Sequence, residues 1–227
     1  MGEKTVFILG AGYSKPAGLP LQRELLKGIL NLSINNHKFD IAKDDLKKFI
    51  IRYFKNVNPL NLEMENLFTI FDRAILNKEN LNNDRWKDLD NIKQEFIYAI
   101  ITIIDYYMKN SLKNIPKFYI DFAKYVIEKR LSQKRGEDLI SIISLNWDTL
   151  FEFVIDKEIQ QGHYNKKISI DYCTYTDWLD KKINPDITLK ARGIKNIKVL
   201  KPHGSINGLY CPNCGRLFID RKENIGI

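Results

Sequence analysis

Residues 8–20 read Ile8-Leu9-Gly10-Ala11-Gly12-Tyr13-Ser14-Lys15-Pro16-Ala17-Gly18-Leu19-Pro20. Thr5 and the apolar run Val6 to Leu9 predict a short buried strand. Gly10-Ala11-Gly12 ends it, and leucines at 21, 25, 26, 30 and 32 predict an amphipathic helix from about Leu21. A strand that turns through glycines into a helix suits an anion, because the backbone can approach it closely and helix amides point at it. The expected ligand is nucleotide-like. The spacing departs from Gly-x-Gly-x-x-Gly: Lys15 stands where the third glycine would fall, and the next glycine is Gly18. A lone Gly-x-Gly serves equally well as a plain tight turn. The longer string adds Ser14, whose hydroxyl can bond phosphate or backbone, and Pro20, which suits the first turn of a helix.

A chain of 227 residues with 44% hydrophobic and 28% charged residues can bury a sizeable core, and one α/β domain with an insertion is expected. The longest apolar run, Phe96 to Ile104, is half of what a membrane span needs. Val6–Leu9 is too short for the apolar core of a secretory leader, so no membrane and a cytoplasmic location are expected. The net charge of +8 is spread over helical segments that also carry Asp and Glu, which argues against a nucleic-acid partner. The densest basic stretch, Lys190 to Lys201, is suited to steering an anionic ligand. Three cysteines are too few for a disulfide framework. Cys173 reads as a small core residue.

From Asp40 to Arg135 four segments (41–56, 63–76, 84–112 and 116–131) carry apolar residues at threes and fours. Asn- and Pro-containing breaks near 56–61, 77–83 and 113–116 separate them, so a four-helix insertion over 40–135 is predicted. Its many aromatic residues read as core. On either side, residues 1–39 and 136–210 form the two parts of an α/β domain, and 211–227 form a tail.

Asp138 to Leu145 is a short, nearly continuous apolar run, as expected of a central parallel strand. It ends in Asn146-Trp147-Asp148, and Thr149 opens another helix. Ile168 to Tyr172 reads as a strand, and Ile197 to Leu200 as another that ends in Lys201-Pro202-His203-Gly204-Ser205. Three strand ends thus carry Gly/Ser, Asn/Asp and His/Ser, at the place where open α/β sheets bind ligands. Each set also has a plainer reading: Asn146 and Asp148 are good helix caps, and His203 between Pro202 and Gly204 suits an ordinary turn.

The three motifs GAGYSKPAGLP, SLNWDTLFE and KPHGSINGLYCPNCG, in this order, resemble the sirtuin-like family. The resemblance covers roughly the first 20 residues and 138–215. It implies a Rossmann-like parallel sheet with helices on both faces, here with a large all-helical insertion, and NAD as the ligand. Matched position by position, Gly10, Ala11, Gly12 and Ser14 correspond to the phosphate loop, closed by Gly18 and Pro20, with Arg23 also matched. Asn146 and Asp148 correspond to the pair beside the nicotinamide ribose, His203 to the catalytic histidine, and Gly204 and Ser205 to its neighbours in the site. The residue types fit the chemistry. Loss of nicotinamide leaves a cationic, oxocarbenium-like sugar. Asp148 can stabilise it, Asn146 can orient a ribose hydroxyl or water by bonding both ways, and His203 can take a proton.

Two departures from the deacylases of that family stand out. Gln22 occupies the place of the aromatic that covers the reacting sugar, which favours attack by water over attack by an acyl-lysine. The deacylases carry two Cys-x-x-Cys pairs, whereas here Cys211 and Cys214 form a single pair. A structural zinc needs four ligands; Cys173 could add a third, and the balance is against a filled zinc site. Both departures point to the prokaryotic sirtuin-like NAD hydrolases of antiphage defence. That resemblance implies cleavage of NAD to nicotinamide and ADP-ribose, governed by a regulatory subunit or by self-association. The alternatives are an NAD-dependent deacylase or ADP-ribosyl transferase, and a module that senses NAD or ADP-ribose without cleaving it.

Overall fold

The structure, a computed structural model, describes residues 4–81, 84–134, 137, 140–164, 167–173, 195–213 and 215–219. Four strands form a parallel sheet in the order β1-β2-β4-β3: β1 Thr5–Leu9, β2 Ile140–Ser144, β3 Ile168–Asp171 and β4 Lys195–Leu200. All four lie where the apolar runs predict them. The sheet and its helices make an α/β fold of the Rossmann-like kind.

The register explains which residues form the core. Phe7 pairs with Ile142, and Ile142 pairs with Val199, so these side chains share one face. Ile168, Ile170 and Ile197 lie on the same face and are fully buried. Helices α6 (Lys117–Ser132) and α7 (Leu150–Gln161) cover it. Phe7 meets Phe122 edge-on at 5.1 Å and Tyr125 at 6.2 Å. Buried Arg130 pins the end of α6 to β4, donating from Nε to the Asn196 carbonyl at 2.6 Å and from Nη1 to Gln133 Oε1 at 2.5 Å. The opposite face carries Val6, Ile8 and Leu200, which are 55%, 67% and 41% exposed. An antiparallel hairpin, β5 (Gly208–Cys211) with β6 (Arg216–Ile219), follows the sheet.

The chain divides into two compact units. One comprises residues 1–17 and 110–227 and holds the sheet; the other is Gly18–Lys109. The helical unit contains α2 (Gln22–Asn31), α3 (His37–Tyr53), α4 (Met64–Asn77) and most of α5 (Trp86–Ser111). Its core is aromatic: Phe49 packs on Phe71 at 4.7 Å, and Phe68 stacks on Phe96 at 5.0 Å. The predicted helices of the insertion all form. The division, however, falls at 17/18 and 109/110 rather than at 40 and 135. The physical reason is burial. Leu25, Leu26 and Ile29 of α2 lie in the helical unit, whereas Ala123, Val126 and Ile127 of α6 are buried in the unit that holds the sheet. Helical periodicity announces a buried face without saying what buries it.

Candidate functional site

Leu9 leads directly into a one-turn helix, α1 (Ala11–Ser14), followed by a 3-10 turn at Lys15–Ala17. The glycine loop itself thus makes the first helical turn, ahead of the helix expected from Leu21, which appears as α2. Tyr13 N donates to the Gly10 carbonyl at 2.8 Å. The amides of Ala11 and Gly12 precede that first bond. Gly10 has ordinary extended torsions (φ −104°, ψ −177°), and a Cβ added at Gly10 or at Gly12 would meet no atom within 4 Å. Neither backbone conformation nor packing demands glycine here, so what their absent side chains leave is clear approach to the backbone.

Asn146, 7% exposed at the end of β2, joins this loop: its Nδ2 donates to the Gly10 carbonyl and to Ser14 Oγ, each at 3.0 Å. Both amide hydrogens are thereby engaged, which leaves Oδ1 as an acceptor. Ribose or water could be held in one direction only, not in both as expected from the side chain alone. Ser14 is 2% exposed and its oxygen accepts from Asn146, so its hydroxyl supports the loop from beneath rather than lining it. Asp148 Oδ1 accepts from Leu150 N at 3.0 Å and opens α7, which is the capping role. The bond comes from Asp148 rather than from Thr149, the residue at the cap position.

The turn after β4 is stapled to the same place. Trp147 Nε1 donates to the His203 carbonyl at 2.9 Å, Ile206 N to the Trp147 carbonyl at 2.9 Å, and Ser205 Oγ to that carbonyl at 3.4 Å. His203 is exposed. Gly204 has φ +81°, a left-handed conformation that other residues adopt only with strain. Because β4 is separated from β1 by β2 alone, the strand ends that lead into the His203 turn and the glycine loop are two strand spacings apart, about 10 Å. A mostly apolar groove of about 320 Å³ runs beside Gly204 and Ser205, lined also by Ile143, Leu200, Lys201 and Leu217.

Three residues without a forecast role, together with Lys201 from the end of the basic stretch expected to steer an anion, complete the site. Tyr119 of α6, fully buried, donates its hydroxyl to the Tyr13 carbonyl at 2.5 Å and accepts from Ala17 N at 3.2 Å, clamping the middle of the loop to its C-terminal end. Lys201 Nζ donates to Glu152 Oε1 at 2.8 Å and to the Asp148 carbonyl at 2.5 Å. The Lys201 and Glu152 side chains are 5% and 4% exposed. Among the described residues, Glu152 Oε2 and the Tyr13 hydroxyl are buried without a hydrogen-bond partner. Burial, and then Tyr119, Glu152 and Asp148, push the Tyr13 phenol far above its ordinary pKa. For Tyr13, Tyr119 and Glu152 the only sequence signal was an ionic residue inside a largely apolar motif, Glu152 in Thr149-Leu150-Phe151-Glu152-Phe153.

Gly18, Pro20 and Arg23 belong to the helical unit. Gly18 has φ +95° and Arg23 is exposed. Gln22 Nε2 donates to Glu65 Oε1 at 2.5 Å within that unit. Cys173 is exposed, not a core residue, and has φ +54°; it follows β3 and lines the groove beside Gly204 and Ser205. Cys211 ends β5, and Gly215, at φ +66°, donates its N–H to the Cys211 carbonyl at 2.8 Å. Cys214 lies outside the described residues, and among those described no group of three or more metal-ligating side chains converges. No described helix is long and apolar enough to cross a membrane. No protein-family model matches the chain, and no curated protein matches it.

Proposed function

We propose that this chain is an NAD glycohydrolase, cleaving NAD to nicotinamide and ADP-ribose. The observation that carries the reading is the pair Gly10 and Gly12, glycines that their own fold does not require, at the carboxyl end of a parallel strand and tied through Asn146 to the strand end beside them. An approach kept clear to first-turn amides suits a pyrophosphate. The groove of about 320 Å³ beside Gly204 and Ser205 is at the small end for ligand pockets and suits one ring with its sugar rather than a whole dinucleotide.

In the reaction the bond between the ribose C1′ and the nicotinamide nitrogen breaks, and its electron pair leaves with the neutral ring. Water forms the new bond to C1′ and loses one proton. Exposed His203 can accept that proton. Asp148, whose Oδ1 is already oriented by Leu150 N, can place its other oxygen's charge near the cationic sugar. Asn146 Oδ1 can align the ribose or the water. The role as an effector of antiviral defence rests on the three-motif resemblance to the sirtuin-like NAD hydrolases.

The test is nicotinamide release from NAD by the purified chain, with and without an acetylated peptide. Release without peptide is expected; release only with peptide would favour the deacylase. His203→Ala should slow release by about 10²–10⁴-fold with NAD affinity nearly intact. Gly12→Val should abolish binding itself, because its branches occupy the clear approach. Asn146→Ala should weaken both, since it removes two bonds that hold the glycine loop. Full turnover in His203→Ala and Asn146→Ala would sink the mechanism.

A further inference from the structure

Lys201 and Glu152 place two opposite charges in the interior beside the candidate site, with side chains only 5% and 4% exposed. Burying such a pair is costly, and an apolar pair of similar volume is often as stable or more so. Packing alone therefore does not account for it. Its geometry does. Lys201 ends the run from β4 and stands two residues before His203; Glu152 is in the first turn of α7, four residues after Asp148. From one ammonium, Nζ reaches Glu152 Oε1 at 2.8 Å and the Asp148 carbonyl at 2.5 Å. The carbonyl between Asp148 and Thr149 is thus held from the β4 side. The Asp148 carboxylate is held from the α7 side by Leu150 N.

We propose that Lys201 and Glu152 are a positioning pair, whose buried ion bridge fixes the Asp148 turn and the His203 turn in register for nicotinamide release. This rests on the NAD-cleavage reading. Glu152 aims the ammonium through the 2.8 Å bond; Lys201 carries the contact to the Asp148 backbone. An apolar pair would fill the same space but hold no carbonyl.

The decisive variant is the double substitution Lys201→Met with Glu152→Leu. It should melt at or above the wild-type temperature, whereas Glu152→Gln alone, which leaves the ammonium without its counter-charge, should melt lower. Despite its stability the double variant should release nicotinamide about 10²-fold more slowly at saturating NAD, the scale of a misplacement near 1 Å. The Trp147 indole N–H, bonded to the His203 carbonyl, should exchange with solvent faster than in wild type, with the Trp86 indole as internal reference. Wild-type release or unchanged Trp147 exchange in the double variant would overturn the proposal. If Met/Leu fails to fold, Lys201→Gln with Glu152→Gln reads the same quantities, with the same expected directions. A wild-type chain that releases no nicotinamide overturns the cleavage reading alone, and the Trp147 exchange still decides the pair.

Discussion

Three glycines of the site serve for different reasons, and substitution separates them. Gly204, at φ +81°, is needed by the backbone: Gly204→Ala should cost about 1–2 kcal/mol, the strain of a Cβ in the left-handed region. Gly10→Ala and Gly12→Ala meet neither strain nor neighbours, so stability in urea should be unchanged or, for Gly12 within α1, slightly higher. Both should nonetheless weaken NAD binding. A loss of stability in all three would remove the case for a cleared approach. Tyr13 supplies a pH prediction. Its folded-state pKa is raised, so above about pH 10, the ordinary phenol value, the unfolded chain gives up a proton that the folded one keeps, and stability falls as pH rises. Tyr13→Phe removes that pH dependence and a buried hydroxyl with no hydrogen-bond partner among the described residues. It should be no less stable at pH 7, and its stability should decline less between pH 9 and pH 11, as read from denaturation midpoints.

At the scale of elements, the glycine loop is too short to hold itself. One turn of α1 and one 3-10 turn supply little cooperative stability of their own. The loop is fixed from outside, by Asn146 from β2 and by the Tyr119 hydroxyl from α6, which bonds at Tyr13 and at Ala17. Tyr119→Phe should therefore cost about 1–3 kcal/mol, the range for stranding buried polar groups. Amides of residues 10–17 should exchange faster, and NAD affinity should fall while α7 keeps its protection. An unchanged exchange pattern would show that α6 contributes packing only, through the edge contact of Tyr13 with Tyr119 at 5.0 Å.

At the scale of the molecule, each unit has its own buried set. The helical unit's core centres on Phe39, Phe49, Phe71 and Phe96, all 2% exposed or less, and the sheet's on Ile142, Ile168, Ile197 and Val199, all fully buried. Phe71→Ala should cost about 3–5 kcal/mol as measured by denaturation. Hydrogen exchange should quicken in α3, α4 and α5 while β1, β2 and β4 keep their protection. Equal loss across both sets would mean that the two cores unfold as one.

The strands and helices were legible in the sequence because their signals are local. Four apolar runs with turn residues after them suffice for four parallel strands, and a period near 3.6 suffices for α3 to α6. The three strand ends with Gly10 and Gly12, Asn146 and Asp148, and His203 could likewise be picked out, since each sits where a run stops. What those side chains bond to could not. Asn146 spends its amide on Gly10 and Ser14, more than a hundred residues away in the chain, and Ser14 turns inward to receive it. Lys201 meets Glu152 across 49 residues, and Tyr119 meets Tyr13 across 106. The assignment of α2 and α6 to their units depended on the same thing, because an amphipathic stripe is indifferent to its partner until the fold supplies one. Local periodicity determined the elements; long-range hydrogen bonds and burial, which exist only once the chain has closed on itself, decided the site.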